Sequence, residues 1–343
     1  MNSSEERYRR FSIVKEMLET VEVIRHIDID RINGFLHYMK NSSFLFSGEG
    51  SSRIFPSKKL IHDALVHAYQ GSYYSEGSTQ AGEYDLRSID LLIASNSGKT
   101  KEAVRLIQKA REKGSGSILS VVAVSGTPIA ENADACYLLS CGTEAAVAAT
   151  KSVVEQALFY DILFRLKNRE ELPDLHVLAD RFSEALTQPI PEEIIESLSS
   201  SQMMYWAGRN DGVAEELTLK TNEITRKKSD YLEGTYAAHG IEEVMNREDA
   251  VILVDPWEEE EAKLREVLVQ GVGLPVIAIS GRKTSFPTVC IPAYGDFTPY
   301  IELASGWNIL VEVGLRLSID LDKPRRARKV GNEYKEENGH HAN

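Results

Sequence analysis

The chain is 343 residues long with 42% hydrophobic and 27% charged residues, enough for two ordinary domains with their own cores and without the bias of a fibrous or disordered polymer. Its 52 acidic against 39 basic residues give a net charge of −13, which disfavours non-specific binding to nucleic acid, and no basic patch interleaved with aromatics reverses that. No run approaches the ~20 apolar residues of a membrane span, the charged N-terminus does not read as a secretion signal, and Cys136, Cys141 and Cys290 form no CxxC pair or disulfide framework; a cytoplasmic, reducing location is expected.

In chain order, residues 5–38 are helix-like and read as an N-terminal arm (1–40). Short runs rich in Val, Ile and Leu at 43–47, 89–94, 118–124 and 135–139 then alternate with helix-like stretches at about 57–68, 100–113 and 147–166. Such alternation predicts a largely parallel sheet with helices on both faces. A stretch rich in Pro, Glu and Ser at 187–201 reads as a join, and the layout then repeats, with strands at 203–207, 250–254 and 276–280 and helices near 212–226, 258–270 and 300–317. The halves align in register: Gly48 with Gly208 and Ser95 with Asp255, both at an offset of 160, and Ser125-Gly126 with Ser280-Gly281 at 155. The spacing predicts an α/β chain of two doubly wound, flavodoxin-like parallel-sheet domains in tandem, at 41–186 and 202–319. The tail, 320–343, ends in a polar segment whose His340 and His341 are expected to be disordered rather than ligands.

Doubly wound sheets bind ligands beyond the carboxyl ends of their strands. Two small-residue loops fall there in the first half, Gly48-Glu49-Gly50-Ser51-Ser52-Arg53 and Ser95-Asn96-Ser97-Gly98-Lys99-Thr100. The second follows a buried strand and opens a helix, so its N–H groups and the helix N-terminus favour an anion. The hydroxyls of Ser95, Ser97 and Thr100 can donate to phosphate oxygens. Nucleotide motifs fail, because Ile93 stands where a Walker A loop needs Gly and Arg53 where the dinucleotide fingerprint needs its third Gly. A Ser-rich turn also serves as ordinary helix capping, but two such loops at neighbouring strand ends favour a phosphosugar site.

Ser-Asn-Ser-Gly-Lys-Thr at 95–100 resembles the Ser-x-Ser-Gly-x-Thr phosphate loop of sugar isomerase (SIS) domains. Gly142-Thr143-Glu144-Ala145-Ala146-Val147-Ala148-Ala149-Thr150-Lys151 is similar to the Gly-Thr-Glu-x-x-Val-Ala-x-Thr-Lys segment in the isomerase half of glucosamine-6-phosphate synthase. The resemblance runs from about residue 17 to 329 as a tandem pair of SIS units. It implies that Gly50, Ser51, Ser52, Ser95, Asn96, Ser97, Thr100, Val147 and Ala149 bind a hexose 6-phosphate. The counterpart loop of the second unit, Asp255-Pro256-Trp257, lacks the hydroxyls, so only the first unit should hold phosphate.

Isomerising an amino-sugar phosphate needs ring opening, a base that moves a proton between C2 and C1, and donors that steady the enediol-like charge. Leu219-Lys220-Thr221-Asn222-Glu223-Ile224 resembles the family's Leu-Lys-x-x-Glu-Ile helix, which implies Glu223 as the base with Lys220 beside it. At i, i+3 the two share a helical face, either as a pair that holds Glu223 ionised or as a plain surface ion pair. His239-Gly240, sixteen residues beyond Glu223, resembles the family's His-Gly pair. That implies a ring-opening His239 reaching a neighbouring subunit's site, and hence a homodimer. Asp320-Leu321-Asp322-Lys323-Pro324-Arg325 followed by Lys329 resembles the family terminus whose lysine folds over the sugar, and a solvated basic tail would read the same way.

Several positions depart from the family pattern: Glu49, Asn96, Lys99 and Ile241. Glu49 suits either a substrate ammonium or a capping role near Arg53, and Lys99 either the phosphate or solvent. The synthase's glutaminase domain with its N-terminal cysteine is not matched, since Asn2 follows Met1 and Cys136 is the first cysteine. The expected reaction is therefore conversion of glucosamine 6-phosphate, or a related hexosamine 6-phosphate, to fructose 6-phosphate and ammonia. One alternative is a deglycase acting on fructosamine 6-phosphate adducts. Another is a non-catalytic sugar-phosphate sensor, against which Glu223, His239 and Lys329 argue. No His/Cys/Asp cluster has ligand spacing, so no metal or other cofactor is expected.

Overall fold

The computed structural model describes residues 1–2, 4–328 and 332–335. The apolar runs assemble into two five-stranded parallel sheets. In the first, β1 (Ser43–Gly48), β2 (Ser72–Gly77), β3 (Asp90–Ser95), β4 (Ile118–Val122) and β5 (Ala135–Leu138) lie in the order β2-β1-β3-β4-β5. In the second, β6 (Met203–Gly208), β7 (Lys228–Glu233), β8 (Ala250–Val254), β9 (Val276–Ser280) and β10 (Thr288–Cys290) lie in the order β7-β6-β8-β9-β10. Both windings are 2-1-3-4-5, which reverses between the first and third strands and opens a crevice there.

Strands β3, β4, β8 and β9 are buried along their whole length, which is why they are runs of Val, Ile and Leu rather than alternations. The strands that the apolar runs do not predict are the edges. β2 and β7 are half-exposed and mix Tyr and Leu with Ser, Lys, Asp and Glu, and β10 is only three residues long. Phe44 pairs with Asp90 in β1/β3 and Met204 with Ala250 in β6/β8, so the offset of 160 is a structural repeat. The third alignment differs from expectation. Leu91 pairs with Ile118 and Val251 with Val276, so Ser280 is the counterpart of Val122, at 158, rather than of Ser125. The cause is local: β4 ends at Val122, and the N–H of Ala123 turns to the Asn96 carbonyl at 3.0 Å.

The principal helices are α1 (Ser12–Arg25), α2 (Ile54–Val66), α3 (Lys101–Lys113), α4 (Lys151–Asn168), α5 (Leu175–Thr187), α6 (Glu192–Ser200), α7 (Val213–Lys220) and α8 (Thr298–Arg316). α4 is buried from Lys151 to Arg165 and α8 from Tyr300 to Gly314, so both are enclosed on every side. One continuous apolar core runs from α1 and β1 through α4 and α8 to β6 and β8. The Pro/Glu/Ser-rich stretch is more than a connection, since α6 within it turns Ile194, Ile195 and Leu198 inward. Among the described residues no helix is long and apolar enough to cross a membrane.

The helix expected at 212–226 is interrupted. α7 ends at Lys220, a π-helical turn spans Thr221–Thr225, and Arg226 stops it in the left-handed region at φ 60°. Widened turns of this kind concentrate at functional sites. This one is pinned to the sheet: the indole of Trp206, fully buried in β6, donates to the Thr221 hydroxyl at 2.7 Å. Thr221→Val would keep the shape and leave that N–H without an acceptor. It is expected to cost about 1–3 kcal/mol, read as a lower urea midpoint in equilibrium denaturation; an unchanged midpoint would show that the bond is dispensable.

Candidate active site

At the reversal point of the first sheet β1 and β3 approach closely, and a Cβ on Gly48 would lie 2.7 Å from the Ala94 carbonyl oxygen. The loop after β3 is self-paired. Ser95 Oγ accepts from the Gly98 N–H at 3.1 Å and lies 2.9 Å from Thr100 Oγ1, while Ser97 Oγ accepts from the Lys99 N–H at 3.2 Å. Gly98 has φ +65°, and a Cβ there would stand 2.1 Å from Thr127 Oγ1. The segment Asn332–Tyr334 lies antiparallel on this loop: the Lys101 N–H donates to the Asn332 carbonyl at 3.0 Å and the Tyr334 N–H to the Lys99 carbonyl at 2.8 Å. Lys99 is exposed to solvent, one of its two expected surroundings, with its ammonium 3.3 Å from Glu333.

The opposite wall comes from the loop before α4. The expected helix at 147–166 begins only at Lys151, because Glu144 holds the preceding residues out of it. The buried carboxylate of Glu144 accepts from the Thr150 N–H (2.7 Å), the Ser152 hydroxyl (2.7 Å) and the Asn96 amide (3.1 Å), linking both loops. Glu16 on α1 receives the N–H groups of Ala145 and Ala146. Val147 and Ala149 are thereby laid against the Ser95–Thr100 turn. Glu144 and Glu16 are the positioning residues that the reading from sequence omits. Glu144 was visible as the fixed acid of the Gly-Thr-Glu motif, whereas nothing local marks Glu16.

The floor comes from the second unit. Lys220 Nζ lies 2.7 Å from Ser51 Oγ, 2.9 Å from Glu223 Oε2 and 3.1 Å from Glu216 Oε1. The Lys220 and Glu216 side chains have no exposure and that of Glu223 has 23%, so the Lys220–Glu223 pair is not a surface ion pair. Burial opposes the charge on Lys220, but Glu216 and Glu223 outweigh it and hold the ammonium above its ordinary value. Burial pushes the Glu216 carboxyl up, against the pull of Lys220. Glu223 rides on the π-turn, which carries its carboxylate into the cleft.

All nine expected binding residues, Gly50, Ser51, Ser52, Ser95, Asn96, Ser97, Thr100, Val147 and Ala149, line one cleft of about 370 Å³ together with Glu223. Glu49, Glu102, Leu219 and Asn332 complete it. Glu49 is engaged as a cap, accepting from the Ser78 N–H at 2.9 Å rather than sitting on Arg53. Glu223 also borders a second cavity, of about 730 Å³, whose walls include Arg226, Lys323, Arg325 and Arg326. The Nη1 of Arg226 has no hydrogen-bond partner among the described residues. His239 is exposed on the turn after β7 and does not line the cleft of its own chain. Lys329, His340 and His341 lie outside the described residues.

This fold and cleft define a class. Residues 74–166 match the SIS domain family. The match lies within the first unit, and the second unit repeats its winding. Among curated relatives, the glutamine–fructose-6-phosphate aminotransferase (isomerizing) of Staphylococcus aureus is 26% identical over 252 residues, 68% of this chain, which spans only 42% of that relative's length. Among solved structures, the tagatose-6-phosphate ketose/aldose isomerase of Escherichia coli superposes with a TM-score of 0.79 at 16% identity, covering 93% of this chain and 98% of that one. The C-terminal domain of the Francisella tularensis glucosamine-fructose-6-phosphate aminotransferase gives 0.75 at 17% identity (92% and 98%). The glucosamine-6-phosphate deaminase of Thermotoga maritima gives 0.70 at 15% identity (92% and 99%).

Because Gly98 has both a left-handed φ and no room for a Cβ, Gly98→Ala is expected to cost more than about 1 kcal/mol of stability, measured as a drop in thermal midpoint. An unshifted midpoint would mean that the loop after β3 does not need its tight turn.

Proposed function

We propose that this chain is a phosphosugar isomerase/deaminase that converts glucosamine 6-phosphate, or a related hexosamine 6-phosphate, to fructose 6-phosphate and ammonia. The observation that carries the reading is the position of Glu223: a carboxylate ion-paired to a buried Lys220, in the same cleft as the Ser95, Ser97 and Thr100 hydroxyls. The phosphate rests on those hydroxyls, beside the N-terminus of α3. His239 of a second copy opens the ring, in keeping with its exposure and its absence from its own cleft. With the sugar open, Glu223 takes the C2 proton and returns it at C1. The resulting C2 imine adds water and expels ammonia, so that one water is consumed for each ammonia released. Lys220 donates to both Glu223 and Ser51, fixing the base relative to the loop after β1. The names of the Thermotoga, Escherichia and Staphylococcus proteins, a deaminase, a ketose/aldose isomerase and an isomerising aminotransferase of hexose phosphates, are consistent with this chemistry.

A second reading has its own support. The cavity beyond Glu223 is walled by Arg226, Lys323, Arg325 and Arg326. That basic wall suits a leaving amine that bears a carboxylate, as in a fructosamine 6-phosphate adduct of an amino acid. The proton then moves the other way, from C1 to C2 of the ketose adduct, and the resulting C1 imine adds water and expels the amino acid, leaving an aldose 6-phosphate.

Proton NMR in D₂O separates the two. Loss of the glucosamine 6-phosphate C2 signal with appearance of ketose and ammonia is the expected result. Consumption of the adduct alone would select the deglycase. Glu223→Gln is expected to lower turnover by roughly 10²–10⁴-fold while fructose 6-phosphate still binds in calorimetry. Undiminished turnover would remove Glu223 from the base role.

Sharing of the site is tested independently. Mixed dimers of Glu223→Gln and His239→Ala subunits are expected to regain activity that neither parent has, because one of the two sites then holds both intact groups. A verified mixed dimer without activity would assign His239 to its own chain or to no catalytic role.

A further inference from the structure

The second sheet has a reversal point of its own. At the carboxyl ends of β6 and β8 a crevice of about 420 Å³ opens among Arg209, Asp211, Asp255 and Glu302 of that unit and His62 and Asp63 of α2. It is the internal counterpart of the phosphate cleft. α2 borders it as α7 and the π-turn border the other, and Asp63 precedes Glu223 by the repeat distance of 160.

The electrostatics are inverted. Arg209 pairs with Asp255 at 2.8 Å, Arg282 with Glu261 at 2.6 Å, Asp63 with Lys59 at 2.5 Å and Asp296 with Arg165 at 2.7 Å. With these pairs formed, two deeply buried carboxylates remain without an ion-pair partner among the described residues, and Arg209, already paired to Asp255, attracts both from a distance. Asp211, 5% exposed, accepts one hydrogen bond, from the Val213 N–H at 3.0 Å. Glu302, 3% exposed, borders the crevice and has neither a hydrogen-bond donor nor an ion-pair partner among the described residues. Burial, with Asp211 and Asp255 nearby, pushes the Glu302 carboxyl well above its usual range. A buried acid in that condition is unfavourable unless something complements it.

The first unit shows what Glu302 lacks. Glu155 is the fifth residue of α4 and Glu302 the fifth of α8. Glu155 is clasped by the N–H groups of Ser140 (2.7 Å) and Cys141 (2.8 Å), in the loop after β5. In the sheets Val122 pairs with Leu138 and Ser280 with Cys290, so two residues further on Pro292 stands where Ser140 does. Proline has no N–H to give. The clasp is missing, and the carboxylate is left to the crevice. The loop after β8 has changed in the same sense: Asp255 and Pro256 replace Ser95 and Asn96, adding a negative charge and deleting a donor, which disfavours phosphate.

We propose that this crevice is a second ligand site, taking a small organic ammonium compound without phosphate, of monosaccharide size or less, with its ammonium group received by Glu302 and Asp211. Its volume is that of a small-molecule pocket. Ammonium-to-carboxylate hydrogen bonds away from water are among the stronger polar contacts available to such a ligand. The site is separate from the phosphate cleft and does not depend on phosphosugar turnover.

Isothermal titration of the full chain with D-glucosamine, against D-glucose as the uncharged analogue, tests this. Glucosamine is expected to bind saturably and glucose not. Glu302→Gln keeps the shape and replaces a buried acid by a neutral amide, so it should fold; it is expected to weaken glucosamine at least about tenfold. Asp211→Asn retains the acceptor for Val213 and is expected to weaken it as well. The double replacement Ser97→Ala with Thr100→Ala, in the other cleft, should leave the affinity unchanged. Absence of saturable glucosamine binding would overturn the proposal. So would equal binding of glucose, indifference to both acidic substitutions, or loss of affinity in the Ser97/Thr100 variant.

Discussion

The ammonium of Lys220 holds the candidate site together. It is fully buried, it belongs to the second unit, and it reaches Ser51 in the loop after β1 of the first. An unpaired charge in that position would be costly, so the arrangement persists only with Glu216 beneath it and Glu223 beside it. Each partner has a different consequence. Glu216 keeps the lysine charged, Glu223 pairs with it while its carboxylate stays partly in the cleft, and Ser51 fixes the distance between the two sheets' loops. The π-turn and the Trp206–Thr221 bond deliver Glu223 to that point.

The opposite wall is organised by another acid. Glu144 ties Asn96, Thr150 and Ser152 into one unit, and Glu16 reaches in from α1 to hold the same loop. The hydroxyls of Ser95 and Thr100 are hydrogen-bonded to each other across the turn. On the proposed reading an arriving phosphate meets donors already converged on one point, and it exchanges one hydrogen bond for several. Convergence before binding limits what must be ordered on binding.

Much of this was legible in the residues. The fully buried strands announced themselves as continuous Val/Ile/Leu runs, and the offset of 160 carried through to the hydrogen-bonded register of β1/β3 and β6/β8. The hydroxyl loops and the Lys220–Glu223 spacing pointed to one cleft. What stayed hidden depends on neighbours distant in sequence. β2 and β7 carry too little apolar pattern to be seen, because their burial comes from a single sheet edge. The start of α4 is set by Glu144, not by the local propensity of Val147 and Ala148. The burial of Lys220 follows from packing between units, and the lone condition of Glu302 from a proline ten residues earlier.

The core that runs unbroken through α4 and α8 has a further consequence. On the proposed reading the phosphate is gripped by one sheet and the proton is moved by a residue carried on the other. The chain then works as a caliper whose jaws are the two loops and whose rivet is the shared interior. The gap between the jaws counts the carbons between phosphate and reacting centre. A sugar one carbon shorter or longer would be held as firmly at its phosphate and miss the base, so selection by length would reside in the packing of apolar residues that never touch the substrate.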